Sequence, residues 1–422
     1  MLVPFLVAAC PAPPPTAQPR ADRPRYVVDV RVAPSLRTVS GVVRVRFTPN
    51  RPTNRLVFRL WPNGPPERRQ GMRLDVGRVS FPIERPDPTT VVVRAGELRP
   101  GTTVEVRVPW TLRVPRARND RISRFRNGLR IGTFLPLLAW DPRRGWVTDP
   151  PALILGESST FPAADFDVHL RVPRGLQAVV SGVRVGPGRW RARAIRDVGL
   201  EVARFQILTA TAHAPDPVAV HLAVPRGMDV DSRRLLRTGV SALEKLSARY
   251  GPYPRPVYTL ALAPDLFGGG IEYPTFSFIA ESSYIVPVID HETAHQWFYS
   301  LVGNDQARDP WLDETLATWS QQRLDRMIRP ATGFLPPGIR RHVGAPMTYW
   351  ARFPRGYFYG AYDEGAKALR SLGDDDKVDC ALRSYAARRA YSIAQPGDLL
   401  DELNRVIPGA ERRLAAWGIH RR

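Results

Sequence analysis

Two histidines and a glutamate stand together in the string His291-Glu292-Thr293-Ala294-His295. At about 3.6 residues per turn, His291 and His295 fall on nearly the same face of a helix, so both imidazoles can bind one metal ion. Glu292 lies one step round that helix, where its carboxylate can take a proton from water on the open side of the metal. The string therefore favours a zinc site. The alternative is an ordinary amphipathic helix with two solvent-facing histidines, although the 422 residues contain only seven histidines in all.

A third ligand for the same ion is predicted at Glu314, 19 positions after His295. The apolar run 297–302 is expected to continue the first helix as far as Gly303. Asp309-Pro310 then predicts the start of a second helix, with Glu314 on its second turn. Two helices joined by a short loop pack against each other, which brings a carboxylate beside the two imidazoles. Three protein ligands and an open fourth position are typical of catalytic zinc, whereas closed structural sites usually contain cysteines.

These residues resemble the signature of the aminopeptidase N family of gluzincin zinc metallopeptidases, in which HExxH is followed after eighteen residues by a glutamate. A second family motif, a Gly-rich segment ending in Met-Glu-Asn, resembles residues 268–274, with Ile271 for Met and Tyr-Pro after Glu272. A third, Tyr-x-x-Gly-Ala, matches Tyr362 to Ala366. The order and spacing of the three motifs agree. The chain is therefore identified as a short, two-domain bacterial member of this family, and the resemblance covers at least positions 250–400.

The resemblance implies a role for most of the matching residues. It implies one zinc ion per chain on His291, His295 and Glu314, with Glu292 as the base that activates water. It also implies that Tyr362 donates its phenol to the oxyanion, an interaction whose loss costs about 10²–10³ in rate. The alternative for Tyr362 is an aromatic core residue.

Glu272 decides the expected substrate. Its carboxylate can pair with the free α-ammonium of a peptide, a bond worth about 1.5–3 kcal/mol, so that cleavage falls after the first residue. Gly269 and Gly270 would let the substrate backbone approach the strand edge closely. The expected function is therefore a zinc aminopeptidase that acts on peptides with a free N-terminus. A zinc endopeptidase or dipeptidase with relaxed amine recognition remains open, and a non-catalytic binding scaffold is a remote alternative.

The elements that must position these residues follow from the hydrophobic periodicity. Over 25–215, apolar residues alternate with polar ones in short runs such as 28–32 and 104–108, which is typical of antiparallel strands. From 216 the period becomes helical, with a face over 235–246 that ends at Gly251, before a strand-like run over 257–263. We therefore expect an α+β protein. An N-terminal antiparallel β-sandwich or saddle domain over 25–215 precedes a mostly helical catalytic domain over 216–422, which the resemblance makes thermolysin-like.

The formal charge of +21 raises the question of nucleic acid. Of the 61 basic residues, however, all but Lys245, Lys367 and Lys377 are arginines, which indicates a bias of the genome. No zinc knuckle, RNA-binding sheet motif or helix-turn-helix pattern is present, so no nucleic-acid partner is expected. The densest basic stretch is expected to be a solvated loop, with anionic lipid or an acidic substrate as alternative partners. It contains Arg113, Arg116, Arg118, Arg121, Arg124, Arg126 and Arg130.

The N-terminus suggests a location. Residues 1–10 form a short apolar run in which Val7-Ala8-Ala9-Cys10 resembles a bacterial lipobox, so we expect lipid on Cys10 and possible membrane association. Residues 11–24 are rich in proline and are expected to form an extended linker. The expected location is the bacterial cell envelope, outside the cytoplasm; the cytoplasm is the alternative. Cys380 is expected to be a core residue, and no disulfide is predicted.

Overall fold

The computed structural model describes residue 10 and residues 12–117, 119–154, 160–266, 269–325 and 335–421. Within them, a β-rich N-terminal half is followed by a half in which helices predominate. This confirms the predicted α+β class and the order of the two domains. The expected signal run over 1–9 lies outside the described residues, as does Arg118 of the basic stretch.

The described part of the N-terminal domain contains seventeen strands in four sheets, a short 3₁₀ helix (Trp61–Asn63) and helix α1 (Pro65–Arg69). The strands are β1 (Arg25–Val32), β2 (Thr38–Phe47), β3 (Leu56–Arg59), β4 (Arg73–Val76), β5 (Ile83–Asp87), β6 (Thr90–Val93), β7 (Val104–Arg113), β8 (Ser123–Phe125), β9 (Gly128–Gly132), β10 (Leu137–Leu138), β11 (Trp140–Asp141), β12 (Gly145–Trp146), β13 (Ala164–Arg171), β14 (Gln177–Val180), β15 (Val183–Gly186), β16 (Arg189–Ile195) and β17 (Gly199–Ala203).

The largest sheet has the order β15-β16-β13-β1-β2-β7-β4. Its strands bury alternate residues, as the period of two predicts: Val28, Val30 and Val32 are at most 3% exposed. Every pair in this sheet is antiparallel except β1 with β13, which are parallel. The chain reaches β13 only after a long excursion through the other sheets, so no local signal could reveal that pairing.

The catalytic domain is built on a five-stranded sheet with the order β18-β19-β20-β22-β21. Its strands are β18 (Phe205–His213), β19 (Pro217–Pro225), β20 (Val257–Ala263), β21 (Gly270–Tyr273) and β22 (Phe276–Ala280), and a short pair joins β23 (Gly303–Asn304) to β24 (Ile393–Ala394). β18 pairs with β19 along its whole length. The sheet therefore begins at Phe205 rather than after the expected boundary at 215, because a hairpin carries the chain from β18 into β19.

The remaining elements are helical. They are α2 (Ser232–Tyr250), α3 (Ile285–Ala294), α4 (Trp311–Asp325), α5 (Met347–Trp350), a π-helix (Phe358–Glu364), α6 (Gly365–Arg370), α7 (Asp375–Arg389), α8 (Pro396–Val406) and α9 (Ala410–Ala415). α2 has the predicted apolar face and ends at Gly251, whose φ of 104° only glycine adopts easily. No helix in the described ranges is both long and apolar enough to cross a membrane.

The prediction that the first metal-site helix continues to Gly303 is wrong. α3 ends at Ala294 with His295 as its C-cap, and the chain then folds back in turns. The amide of Val302 donates to the carbonyl of Trp297, and Tyr299 takes a φ of 136°. This fold buries every side chain over 297–302, whereas an amphipathic helix would leave one of its faces exposed. Burial thus overrides the local helical preference.

The prediction that no disulfide forms is also wrong. Cys10 is bonded to Cys380 in α7, with the two Cα atoms 5.5 Å apart. The Pro-rich segment between Cys10 and β1 lies along the catalytic domain, where the amide of Ala17 donates to the carbonyl of Ala387. Arg23, at the end of the segment, pairs with Asp165 of β13. Sequence spacing could not reveal this contact, since it joins residues 370 positions apart.

Candidate metal centre

Helices α3 and α4 pack against each other and bring three side chains to one point. His291 and His295 come from α3 and its C-cap, and Glu314 comes from the first turn of α4, one turn earlier than expected. The start of α4 is fixed by Asp313, whose carboxylate accepts hydrogen bonds from the amide of Glu314 at 2.9 Å and from Gln306 at 3.0 Å. Burial raises the pKa of Asp313 to about 8.

The three side chains form a triangle of ligand atoms. The Nε2 atoms of His291 and His295 are 3.1 Å apart, and Glu314 Oε2 lies 3.3 and 3.5 Å from them. With zinc–ligand bonds of about 2.0–2.1 Å, tetrahedral ligand atoms are separated by about 3.3 Å. His295 Nδ1 lies 3.0 Å from the carbonyl oxygen of Phe298, so its Nδ1–H donates there and the Nε2 lone pair faces the triangle. The residues present therefore fit a zinc ion.

The charges in this triangle are strongly coupled. Burial alone would raise the pKa of Glu314, but the neighbouring imidazoles of His291 and His295 outweigh burial and hold that pKa well below its usual value. Burial lowers the pKa of His291. For His295 the carboxylates of Glu272 and Glu314 outweigh burial and raise its pKa. A carboxylate that stays ionised is the form that a metal cation prefers.

Two further carboxylates, those of Glu272 and Glu292, face the triangle. Glu272, Glu292 and His295 place ligand atoms within 4.8 Å of one another. Glu292 is 4% exposed and Glu272 5%, and among the described residues neither Glu272 Oε1 nor Glu292 Oε2 has a hydrogen-bond partner. Burial raises the pKa of both carboxyl groups, and it does so for Glu292 well above the usual value. Buried carboxylate oxygens without protein partners are suited to binding a cation or another polar ligand.

Glu272 lies on β21, which is the edge strand of the catalytic sheet. A Cβ on Gly270 would sit 2.5 Å from Cγ of Glu292, so this strand approaches α3 closely only because residue 270 is glycine. A Cβ on Gly269 would lie 3.2 Å from a methyl group of Val288, a tight contact but a less severe one than at Gly270. Gly268, the first glycine of the motif, lies outside the described residues.

Tyr273 anchors this edge strand to the N-terminal domain. Its side chain is 1% exposed, and its hydroxyl lies 3.2 Å from Thr133 Oγ1. A Cβ on Gly132 or Gly199 would come within 3.0 Å of the tyrosine ring, so two glycines of β9 and β17 make room for it. Because successive strand residues point to opposite faces, this anchor turns Glu272 toward the metal ligands. The tyrosine at this position therefore has a structural role across the domain boundary.

Tyr362 reaches the metal ligands from the π-helix. Its ring stacks on His291, with centroids 5.7 Å apart and an interplanar angle of 8°. The π-helix is held to α4 by Thr315, whose hydroxyl donates to the carbonyl of Ala361 and whose side chain fills the space left by Gly365. Burial and the nearby Glu314 raise the pKa of Tyr362 well above its usual value, so the phenol keeps its proton. Such π-helical turns recur at functional sites.

Tyr357 is a second phenol in this region. It is 1% exposed, its ring lies 5.6 Å from that of Tyr362, and its hydroxyl has no hydrogen-bond partner among the described residues. Its pKa is raised well above the usual value, first by burial and then by Glu314 and other nearby acids.

The sequence did not reveal the part played by Arg121. The expectation of a solvated basic loop is wrong for Arg121 and Arg130, which are 2% and 0% exposed. Arg121 pairs with Asp120 at 2.8 Å. Burial raises the pKa of both Glu272 and Glu292, and the positive charge of Arg121 offsets part of that rise. The available signal was Asn119, whose side chain accepts from the amides of Arg121 and Ile122 and marks an ordered turn.

All the residues predicted to form the site and described by the structure thus lie together. His291, His295 and Glu314 form the triangle, Glu272 and Glu292 face it, and the remaining members line its rim.

Comparison with known proteins supports the same assignment. Residues 252–337 match the Peptidase family M1 domain. Aminopeptidase B of Homo sapiens is 33% identical over 197 residues, which cover 39% of this chain and 30% of that protein. Aminopeptidase RNPEPL1 of Homo sapiens is 26% identical over 206 residues, which cover 40% of this chain and 27% of that protein. The chain therefore spans less than a third of the length of these curated relatives.

Solved structures resemble the whole chain. An M1 zinc metallopeptidase from Deinococcus radiodurans superposes with a TM-score of 0.67 at 21% identity, over 94% of each chain. A mutant of that enzyme bound to a Tyr-Ser-Ala substrate gives a TM-score of 0.67 at 22% identity, over 95% of this chain and 94% of that one. At these identities the likeness shows the fold, and it extends over both domains.

Proposed function

We propose that this chain is a zinc-dependent aminopeptidase of peptidase family M1, because residues 252–337 match the domain of that family and because the side chains around the metal site are arranged for that activity. It removes the first residue from peptides that have a free N-terminus. The observation that carries the proposal is the buried carboxylate of Glu272, which lies beside His295 and has an oxygen without a partner among the described residues. A peptide ammonium is a partner of the right charge and size for it.

The zinc ligands are His291, His295 and Glu314. Zinc held there supplies Lewis-acid chemistry, since it polarises a carbonyl and lowers the pKa of water to about 7. Glu292 is the general base that accepts the proton of the attacking water. Burial raises the pKa of Glu292 well above its usual value, and this makes the ionised carboxylate a stronger base than an exposed one.

Tyr362 stabilises the negative charge that develops during the reaction. Its phenol remains protonated and lies over His291, where it can donate a hydrogen bond to the oxyanion that develops on the scissile carbonyl. Glu272 sets the register of the substrate. With the α-ammonium on Glu272, the first peptide bond is the one that reaches the metal, and Gly269 and Gly270 leave room for the substrate backbone beside the edge strand.

The test compares aminoacyl fluorogenic substrates with their N-acetylated forms, with and without a chelator. Free-amine substrates should be cleaved at least tens of fold faster, because acetylation removes the charge that Glu272 meets and leaves a buried carboxylate unpaired, at a cost of about 2–5 kcal/mol. Glu272→Ala should shrink this preference by slowing the free-amine substrates alone. Comparable cleavage of blocked peptides at internal bonds would replace the aminopeptidase assignment with the endopeptidase alternative.

We further propose that the protein works outside the cytoplasm, in the bacterial cell envelope. The Cys10–Cys380 disulfide supports this location, because disulfides persist mainly in oxidising compartments. A sulfur engaged in a disulfide cannot also carry a thioether-linked lipid. The sulfur of Cys10 can therefore form the disulfide or carry a lipid, but not both. Membrane association through Cys10 requires the lipid.

A further inference from the structure

Arg196 is buried at the boundary between the two domains, in the turn between β16 and β17, and is 3% exposed. Within the described ranges it forms no salt bridge, and burial lowers the pKa of its guanidinium to about 10. Its hydrogen bonds all go to main-chain carbonyl oxygens. They join Nε to Tyr299 at 2.8 Å, Nη1 to Phe161 at 3.0 Å, and Nη2 to Ser392 at 2.7 Å and Leu301 at 3.4 Å.

Two of these carbonyls belong to residues 298–303, which we call the metal-helix loop because it follows α3 after a short turn over 295–297. The first residue of the loop, Phe298, supplies the carbonyl that accepts the Nδ1–H of His295 at 3.0 Å. The amide of Ser300 donates back to the carbonyl of His295 at 2.9 Å. The loop therefore surrounds His295, and its conformation decides which imidazole nitrogen carries the proton.

The metal-helix loop is strained at its centre. Tyr299 has a φ of 136°, a backbone conformation that side-chain-bearing residues rarely adopt. Such a conformation persists only where the surroundings impose it. The shortest hydrogen bond that Arg196 makes to the loop is to the carbonyl of this residue, at 2.8 Å.

The last residue of the loop, Gly303, packs against the guanidinium of Arg196. A Cβ on Gly303 would lie 2.1 Å from Cζ of Arg196, so the guanidinium occupies space that only glycine leaves free. Gly303 also donates its amide to the carbonyl of Ser392, which is another acceptor for Arg196. Two segments of the catalytic domain thus meet on one side chain of the N-terminal domain.

We propose that Arg196 is a positioning residue for the metal centre. It holds the metal-helix loop so that the Phe298 carbonyl orients His295, and it thereby makes tight zinc binding in the catalytic domain depend on the docked N-terminal domain. The proposal rests on the proposed function only in taking His295 as a zinc ligand.

The experiment measures zinc affinity of the full chain by competition with a fluorescent chelator, beside circular dichroism to show that each variant is folded. Arg196→Met should weaken zinc binding about 10–100-fold, the usual effect of losing a group that orients a metal ligand. Arg196→Lys should recover part of this loss, because an ammonium retains the charge but cannot reach all four carbonyls. No substrate is needed, so a failure of aminopeptidase specificity would leave this result unaffected.

Arg255→Met is the matched control. Arg255 is also buried at the domain boundary and donates to the carbonyl of Ala194 at 2.8 Å, but its hydrogen bonds to described residues reach only Ala194 and Tyr391, which are outside the metal-helix loop. It should change zinc affinity by less than about threefold. Equal losses in the Arg196 and Arg255 variants, or unchanged affinity in a folded Arg196→Met protein, would overturn the proposal.

Gly303→Ala tests the same contact without altering the arginine, and unchanged zinc affinity in this folded variant would overturn the proposal even if no Arg196 variant folds. Its methyl group collides with the guanidinium, so zinc affinity should fall in the wild-type background. In the Arg196→Ala background the space is empty, and adding Gly303→Ala should have little further effect. Additive losses in that double variant would show that the loop acts on zinc independently of Arg196, against the proposal.

Discussion

At the scale of single residues, the three proposed zinc ligands can be distinguished experimentally from the proposed general base, Glu292. His291→Ala, His295→Ala and Glu314→Ala should each lose most of the bound zinc, because each removes one of three ligand atoms about 3.1–3.5 Å apart. Glu292→Gln should keep about one zinc per chain and lose turnover, since its oxygens lie outside the triangle. Metal analysis beside kcat checks both. Full zinc in His295→Ala, or near-normal turnover in Glu292→Gln, would contradict the assignment.

Two tyrosines compete for the role of oxyanion donor, and kinetics can distinguish them. Tyr362→Phe should lower kcat by about 10²–10³ with little change in KM, because a transition-state interaction is lost and ground-state binding is not. Tyr357→Phe is the control: its hydroxyl makes no hydrogen bond to a described residue, so kcat should fall far less. An equal fall in both variants would mean that the wrong phenol has been chosen.

Which of these residues the sequence could predict follows from how local their signals are. The ligands and Glu292 are recognisable because a helix places residues four apart on one face, whatever the rest of the fold does. Arg121 and Arg196 were not recognisable. Both are arginines in a chain with very many arginines, and only tertiary burial distinguishes them from solvated neighbours.

At the scale of elements, the edge strand β21 must lie close to α3. Gly270→Ala should press a methyl group into the side chain of Glu292 and displace the base, lowering kcat about 10²-fold while zinc content stays at wild-type levels. Gly269→Ala is the matched control for kcat, since its methyl group meets a methyl group of Val288 at 3.2 Å and not the base, and any effect on substrate binding should appear in KM. Steady-state kinetics and metal analysis of the two variants test this prediction. Equal losses of kcat in both variants would show that the close approach of Gly270 to Glu292 is not the cause.

Periodicity predicted α2 and the strands of the N-terminal domain, because each buries one regular face. It failed after His295, where the apolar run suggested more helix. The side chains of Trp297, Phe298 and Leu301 are all buried in a folded-back loop, and this burial depends on elements that are distant in sequence. The error is informative, since that loop is the one that orients His295.

At the scale of the whole molecule, the two domains share the site. Tyr273 inserts between glycines of the N-terminal domain, Arg196 inserts into carbonyls of the catalytic domain, and Arg121 extends positive charge toward Glu272. Asn119 marks an ordered turn beside Arg121, but local sequence does not reveal the partner in any of these interactions, because each joins residues far apart in the chain. The order of the β-rich and helical domains is therefore predictable from hydrophobic periodicity, whereas the contacts between the two domains are not.

The disulfide gives a prediction at this largest scale. A Cα separation of 5.5 Å between Cys10 and Cys380 lies within the range that a disulfide spans, and the bond closes nearly the whole chain into a loop. Removing it should cost about 2–5 kcal/mol in the free energy of unfolding, chiefly through the greater freedom of the unfolded chain. Cys10→Ala, Cys380→Ala and the double variant should lose the same amount in denaturant titrations, because each breaks the one bond.

Peptide mapping of protein from its native cells, without reductant, tests the same bond and the location together. A cross-linked peptide pair containing Cys10 and Cys380 is expected, and the protein should fractionate with the soluble part of the envelope. If Cys10 instead carries a thioether-linked lipid, Cys380 should be a free thiol and the protein should follow the membranes until Cys10→Ala releases it. Protein in the cytosol with both thiols reduced and unmodified would contradict both alternatives, and with them the proposed envelope location.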